Sequence, residues 1–99
     1  MRVVAEISLI PVGVGVHLSE YIAECHRVFQ DAGLQVELHA NGTNIEGEWD
    51  DVLQAMKRCH ERVHELGAPR IVSNIKLGTR TDREQGLGDT VQRVRQRLP

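Results

Sequence analysis

A chain of 99 residues suits one domain, which buries only about two-thirds of its unfolded surface, so one core is expected and no second domain. Hydrophobic residues at 40% and charged residues at 26% are too apolar for a disordered chain and ordinary for a folded soluble one. The net charge of -2 is unevenly spread, with 11 acids and 6 bases up to residue 75 and 3 acids and 6 bases beyond it, and there is one each of Phe, Trp and Tyr; so weak a basic excess and so few rings argue against nucleic-acid binding.

No apolar run approaches the roughly 20 residues of a membrane-spanning helix, and the chain opens on a strand-like segment rather than a signal core, so the expectation is a cytoplasmic protein without membrane contact. The two cysteines, Cys25 and Cys59, fall on apolar helix stripes and read as reduced core residues.

Residues 3–10 alternate, with Ala5, Ile7 and Leu9 on one face and Val4, Glu6, Ser8 and Ile10 on the other, which predicts a half-buried strand stopped by Pro11. After the flexible Gly13 and Gly15, Ser19 is a candidate N-cap for a helix running to about Ala32 and ended by Gly33. Leu18, Ile22, Cys25, Phe29 and Ala32 recur along it at steps of three and four, a stripe that must pack on a sheet. Leu34, Val36, Leu38 and Ala40 then alternate with Gln35, Glu37 and His39 as a second strand.

Asn41-Gly42 predicts a hairpin through a type I′ turn, leading into a third strand from Thr43 to about Gly47. Asp50 is a candidate cap for a second helix, which carries Val52, Met56, Cys59, Val63 and Leu66 along one side and stops at Gly67-Ala68-Pro69. A fourth strand follows from Arg70 to Leu77. Gly86 and Gly88 cost about 1 kcal/mol each inside a helix, so the last helix is placed from Asp89, with Gln92 suggesting a capping box and Val91, Val94 and Leu98 an apolar stripe.

The order is β-α-β-β-α-β plus a terminal helix, which predicts an α+β, ferredoxin-like sandwich: a four-stranded antiparallel sheet with two helices on one face. The opposite face is expected to lie open and to show Glu6, Ser8, Glu37, His39, Asn44, Glu46, Asn74 and Lys76.

His60-Glu61-Arg62-Val63-His64 is a literal HExxH, a spacing that places two imidazoles one helical turn apart as in zinc hydrolases. A third ligand is missing, since Arg70 stands where the longer pattern has a histidine, and the pair is read as a solvated helix surface. Gly13-Val14-Gly15 resembles the start of a dinucleotide fingerprint, but Leu18 replaces its third glycine. No nucleophile with a base beside it can be assembled, so no catalytic residue and no resident metal or cofactor is expected.

Ala5-Glu6-Ile7-Ser8 leading to Pro11 and Gly13, Tyr21, Gly33-Leu34, Gly42-Thr43, Ile45-Glu46-Gly47, Trp49-Asp50, His60-Glu61, Gly67, Pro69-Arg70, and Arg80 with Asp82-Arg83 carry a resemblance over nearly the whole chain. In these the sequence resembles the small thiamine-binding protein family, long described as a domain of unknown function. The resemblance implies the ferredoxin-like fold, assembly into homodimers or tetramers through the sheets, and a thiamine or hydroxymethylpyrimidine ligand with no reaction.

With that ligand in view, Glu6 and Glu46 are the candidate carboxylates for the thiazolium charge and the amino group. Ser8, Thr43 and Asn74 are candidate hydrogen-bonding residues, and Trp49 a candidate stacking ring or a cover for the core edge. Two other readings stand beside this one: an oligomeric regulatory module using the open sheet face, and a metal-dependent hydrolase using His60 and His64.

Overall fold

The computed structural model describes residues 1–84 and 86–99, and the glutamine between them lies outside the described residues. The elements are β1 (Arg2–Val12), α1 (Ser19–Asp31), β2 (Gln35–His39), β3 (Gly42–Glu48), α2 (Trp49–Glu65), β4 (Arg70–Gly78) and α3 (Asp89–Arg95). The four strands form one antiparallel sheet in the order β2-β3-β1-β4, the ferredoxin-like arrangement. Alternation on β1 buries Val3, Ala5, Ile7 and Leu9 with Ile45 of β3, against Cys25 and Phe29 of α1 and Val52, Met56, Cys59 and Val63 of α2. Both cysteines are buried and free there.

β1 does not stop at Pro11: it continues to Val12, with Pro11 opposite Ile71. The Trp49 amide donates to the Met1 carbonyl (2.8 Å), so by alternation the backbone polar groups of odd-numbered β1 residues point toward β3. The β1–β3 ladder ends at Ile7↔Thr43. The Pro11 nitrogen therefore faces a vacant edge, where a residue without an amide hydrogen removes no ladder bond.

The hairpin also differs from the sequence-based expectation. His39 pairs with Gly42, so the turn residues are Ala40 and Asn41, and none of residues 40–42 has positive φ. The Asn41 amide donates to Nδ1 of His39 (3.2 Å), a local bond that stands in for the type I′ geometry. Gly42 is required for space instead: a Cβ there would lie 2.9 Å from the Ile7 carbonyl oxygen. Gly42→Ala is expected to destabilise by about 1–3 kcal/mol, because backbone must move, and chemical denaturation would measure it. A loss below half a kcal/mol would show that the strands part without cost.

The predicted caps are corrected as well. Leu18, Glu48 and Gly88 occupy the N-cap positions of α1, α2 and α3, without side-chain cap bonds; Ser19 is the first residue of its helix and Asp50 lies in the first turn, where its charge favours the helix dipole. Asp89 accepts from the Gly86 amide (2.8 Å) instead of closing a capping box. The α3 stripe does not find a core: Val91, Val94 and Leu98 remain exposed.

The outer sheet face is not wholly open. The segment leading into α3 folds back over one end of it, where Glu46 accepts from the Leu87 amide (2.6 Å) and from the Arg2 guanidinium. Glu46 is 5% exposed as a result, and Gly86 approaches so closely that a Cβ would sit 2.7 Å from its Oε1.

Candidate functional site

Among the described residues two polar ones are buried, Thr43 and Glu46, each 5% exposed. They lie on opposite faces of β3, because their positions differ by an odd number. Glu46 spends its carboxylate on Arg2 and Leu87. Thr43 points to the helix side, and its hydroxyl has no protein partner among the described residues. That hydroxyl is not one of the fully buried polar atoms left without a partner, which among the described residues are Nδ1 of His26 and Nε2 of His39; it lines a cavity and is open to a hydrogen bond from whatever fills it.

That cavity is a cleft of about 340 Å³ between α1, the free end of β1 and the β2–β3 turn. Leu18, Ile22, Cys25 and Phe29 form its helix wall, Ile7 and Leu9 its floor, and Ser8, His39 and Asn41 its lip. The α1 stripe read from the sequence is therefore divided: Cys25 and Phe29 seal against the core, while Leu18 and Ile22 stand off the sheet and stay part-exposed. Leu9 shares the parity of Met1, so its amide and carbonyl point toward β3 beyond the last rung of the ladder, with no strand partner. The cleft thus combines apolar walls, one unpaired main-chain donor and acceptor, and one free hydroxyl.

His39 sits at the lip with a fixed tautomer. Its Nδ1 accepts from the Asn41 amide, so the neutral ring carries its proton on Nε2, which lies 3.2 Å from Oε2 of Glu6. The pair is close but poorly aligned for a hydrogen bond, and Nε2 has no other partner among the described residues. Glu6 in turn faces Asn44 and Lys76 across its two ladders.

The six sequence-predicted positions do not gather into one site. Thr43 lines the cleft and Ser8 its lip, with Glu6 reaching the lip through His39. Asn74 stands opposite Ser8 on the outer sheet face. Glu46 lies beneath the returning tail, in a separate polar basin lined by Arg2, Thr79, Arg80, Thr81 and Arg83. Trp49 begins α2, packs on the core edge and lies six residues from Thr43 along the chain, roughly 20 Å by strand rise. Sequence reasoning missed Leu9, Leu18, Ile22 and His39 as cleft residues. The one legible signal for them was Pro11, which announces a vacant strand edge.

The HExxH residues are engaged elsewhere. His60 Nε2 meets the Ser73 hydroxyl (2.9 Å), and His64 donates from Nδ1 to the Ala68 carbonyl (2.7 Å). Burial, with His64 nearby, pushes the His60 pKa below the usual histidine range. Among the described residues no group of three or more His, Cys, Asp or Glu side chains converges as metal ligands would, and no helix is long and apolar enough to cross a membrane.

Comparison with known proteins agrees with the fold. A solved protein of Methanocaldococcus jannaschii is 36% identical, superposes with a TM-score of 0.88, and the match covers 94% of this chain and 95% of that one. A Thermotoga maritima protein provisionally assigned to thiamine biosynthesis or salvage shares the fold at a TM-score of 0.81, with 18% identity over 95% of this chain and 99% of that one. A UPF0045 protein of Synechocystis sp. is 51% identical over 95% of this chain and 78% of its own length. The family model described as thiamine-binding protein matches residues 5–95, and with that match and these relatives the chain belongs to the thiamine-binding protein family.

Proposed function

We propose that this protein is a non-catalytic, cytoplasmic binder of thiamine or of its hydroxymethylpyrimidine part, and that the ligand occupies the cleft beneath α1. The observation that carries this reading is the Thr43 hydroxyl, lining the cleft without a protein partner among the described residues, beside the unpaired Leu9 main chain. An aminopyrimidine presents donors and acceptors along a flat edge and apolar faces above and below. That matches a strand edge flanked by Ile22, Phe29 and Leu18. The cationic thiazolium would then lie toward the lip, where Glu6 stands behind His39. Ser8 completes the lip, while Glu46, Asn74 and Trp49 have no part in this arrangement.

Thr43→Val tests the reading, since it removes the hydroxyl and keeps the shape. Titration calorimetry should show affinity for thiamine and hydroxymethylpyrimidine weakened about tenfold, the value of one hydrogen bond near 1.4 kcal/mol. Stability should not fall, because the hydroxyl has no protein partner to lose. Unchanged affinity would remove Thr43 from the site.

A second reading, an oligomeric interaction module, draws on the exposed Val91, Val94 and Leu98 of α3. Assembly into a homodimer or tetramer is compatible with ligand binding, and these residues are apolar surface that such a contact would cover.

A further inference from the structure

Resting on that reading, we infer that the cleft selects the unphosphorylated ligand and rejects its phosphate esters. Among the described residues, the fourteen that line the cleft include no lysine or arginine. His39 is the one titratable base among them, and its Nε2 already faces the Glu6 carboxylate at 3.2 Å. A phosphate carried to this lip therefore meets a carboxylate first, and like charges at close range repel.

Two cations border the region without lining it. Arg27 lies past Ile22 and Leu38 on the far side of α1 and is held by Glu24 at 2.6 Å. Lys76 faces Glu6 across the β1–β4 ladder, on the outer sheet surface. Neither offers the bidentate, convergent donors by which proteins hold phosphate.

The loop before α1 gives no substitute. α1 starts at Ser19, and residues 13–17, the loop that resembles a phosphate-binding turn in sequence, do not line the cleft. Arginines line other cavities instead: Arg2, Arg80 and Arg83 a basin on the far side of Glu46 that also holds Glu46, Glu84 and Asp89, and Arg27, Arg58 and Arg62 a groove between α1 and α2 that also holds Glu24, Asp31 and Asp51. Discrimination against the ester thus comes from the absence of a cation to offset the desolvation of a phosphate, and from Glu6.

Calorimetry of the wild-type chain with thiamine, thiamine monophosphate and thiamine diphosphate tests the inference. Affinity should fall at least tenfold from thiamine to the monophosphate and further to the diphosphate. Asn41→Lys, which places an ammonium on the exposed turn at the lip and leaves the backbone bond to His39 in place, should narrow that gap. Equal affinity for all three ligands would overturn the inference while leaving the cleft as the binding site. If no thiamine compound produces heat, the proposed function itself fails and the inference falls with it.

Discussion

Phe29→Ala should destabilise the protein by about 3–5 kcal/mol, the largest effect expected of any single side chain here. Phe29 is 1% exposed and fills the space where α1 meets the sheet, with Cys25 beside it on the same helix face. Its removal forfeits the transfer free energy of the ring and leaves a void that the close-packed surroundings only partly close. In a domain of this size each kcal/mol lowers the melting temperature by about 4–8 °C, so the variant should melt well below the wild type. Because Phe29 also walls the cleft, the void opens toward the ligand site, and bound thiamine should recover part of the loss. Phe29→Leu keeps most of the volume and should cost less than half as much. Urea denaturation of the two variants measures both, and a loss under 1 kcal/mol on the order of a surface substitution would mean that α1 is not held by this contact.

Glu46→Ala should release the C-terminal segment from the sheet and cost about 2–3 kcal/mol. The carboxylate accepts from the Leu87 amide and from Arg2, and hydrogen bonds to a charged group contribute roughly 1.5–3 kcal/mol each; the half-exposed Arg2 belongs at the weak end of that range. α3 has no buried residue to hold it independently. Amide exchange should therefore quicken over residues 86–99 while the β1–β3 ladder keeps its protection. Glu46→Gln retains an oxygen to accept from Leu87 and should behave between the two.

The same variant separates two accounts of ligand binding. If the ligand lies in the cleft beneath α1, Glu46→Ala leaves thiamine affinity within about twofold, since Glu46 lies on the opposite face and toward the other end of β3. A loss of ten times or more would return the carboxylate role to Glu46, as the pattern of acids on the outer strand face first suggested. Protected tail amides in Glu46→Ala would show that other contacts fasten the segment.

The order of elements was legible from local pattern because each depends on near neighbours in sequence. Alternation fixed β1, a three-four repeat fixed α1 and α2, and Gly33 and Gly67 at positive φ end those helices where the sequence places them. Parity also fixed which side chains share a sheet face, so Glu6, Asn44 and Lys76 stand together across the ladders. What such patterns do not carry is the length of each ladder.

Only the tertiary structure decided that the β1–β3 pairing ends at Ile7, and from that single stopping point follow the allowed Pro11, the unpaired Leu9 and the cleft. It likewise decided that Glu46 is occupied, since Arg2 and Leu87 reach it from 44 and 41 residues away in sequence. The separation is physical. Periodicity reports which face of an element meets an apolar layer, whereas a binding site is made where two layers fail to close and a cleft-lining hydroxyl such as that of Thr43 is left open to a ligand.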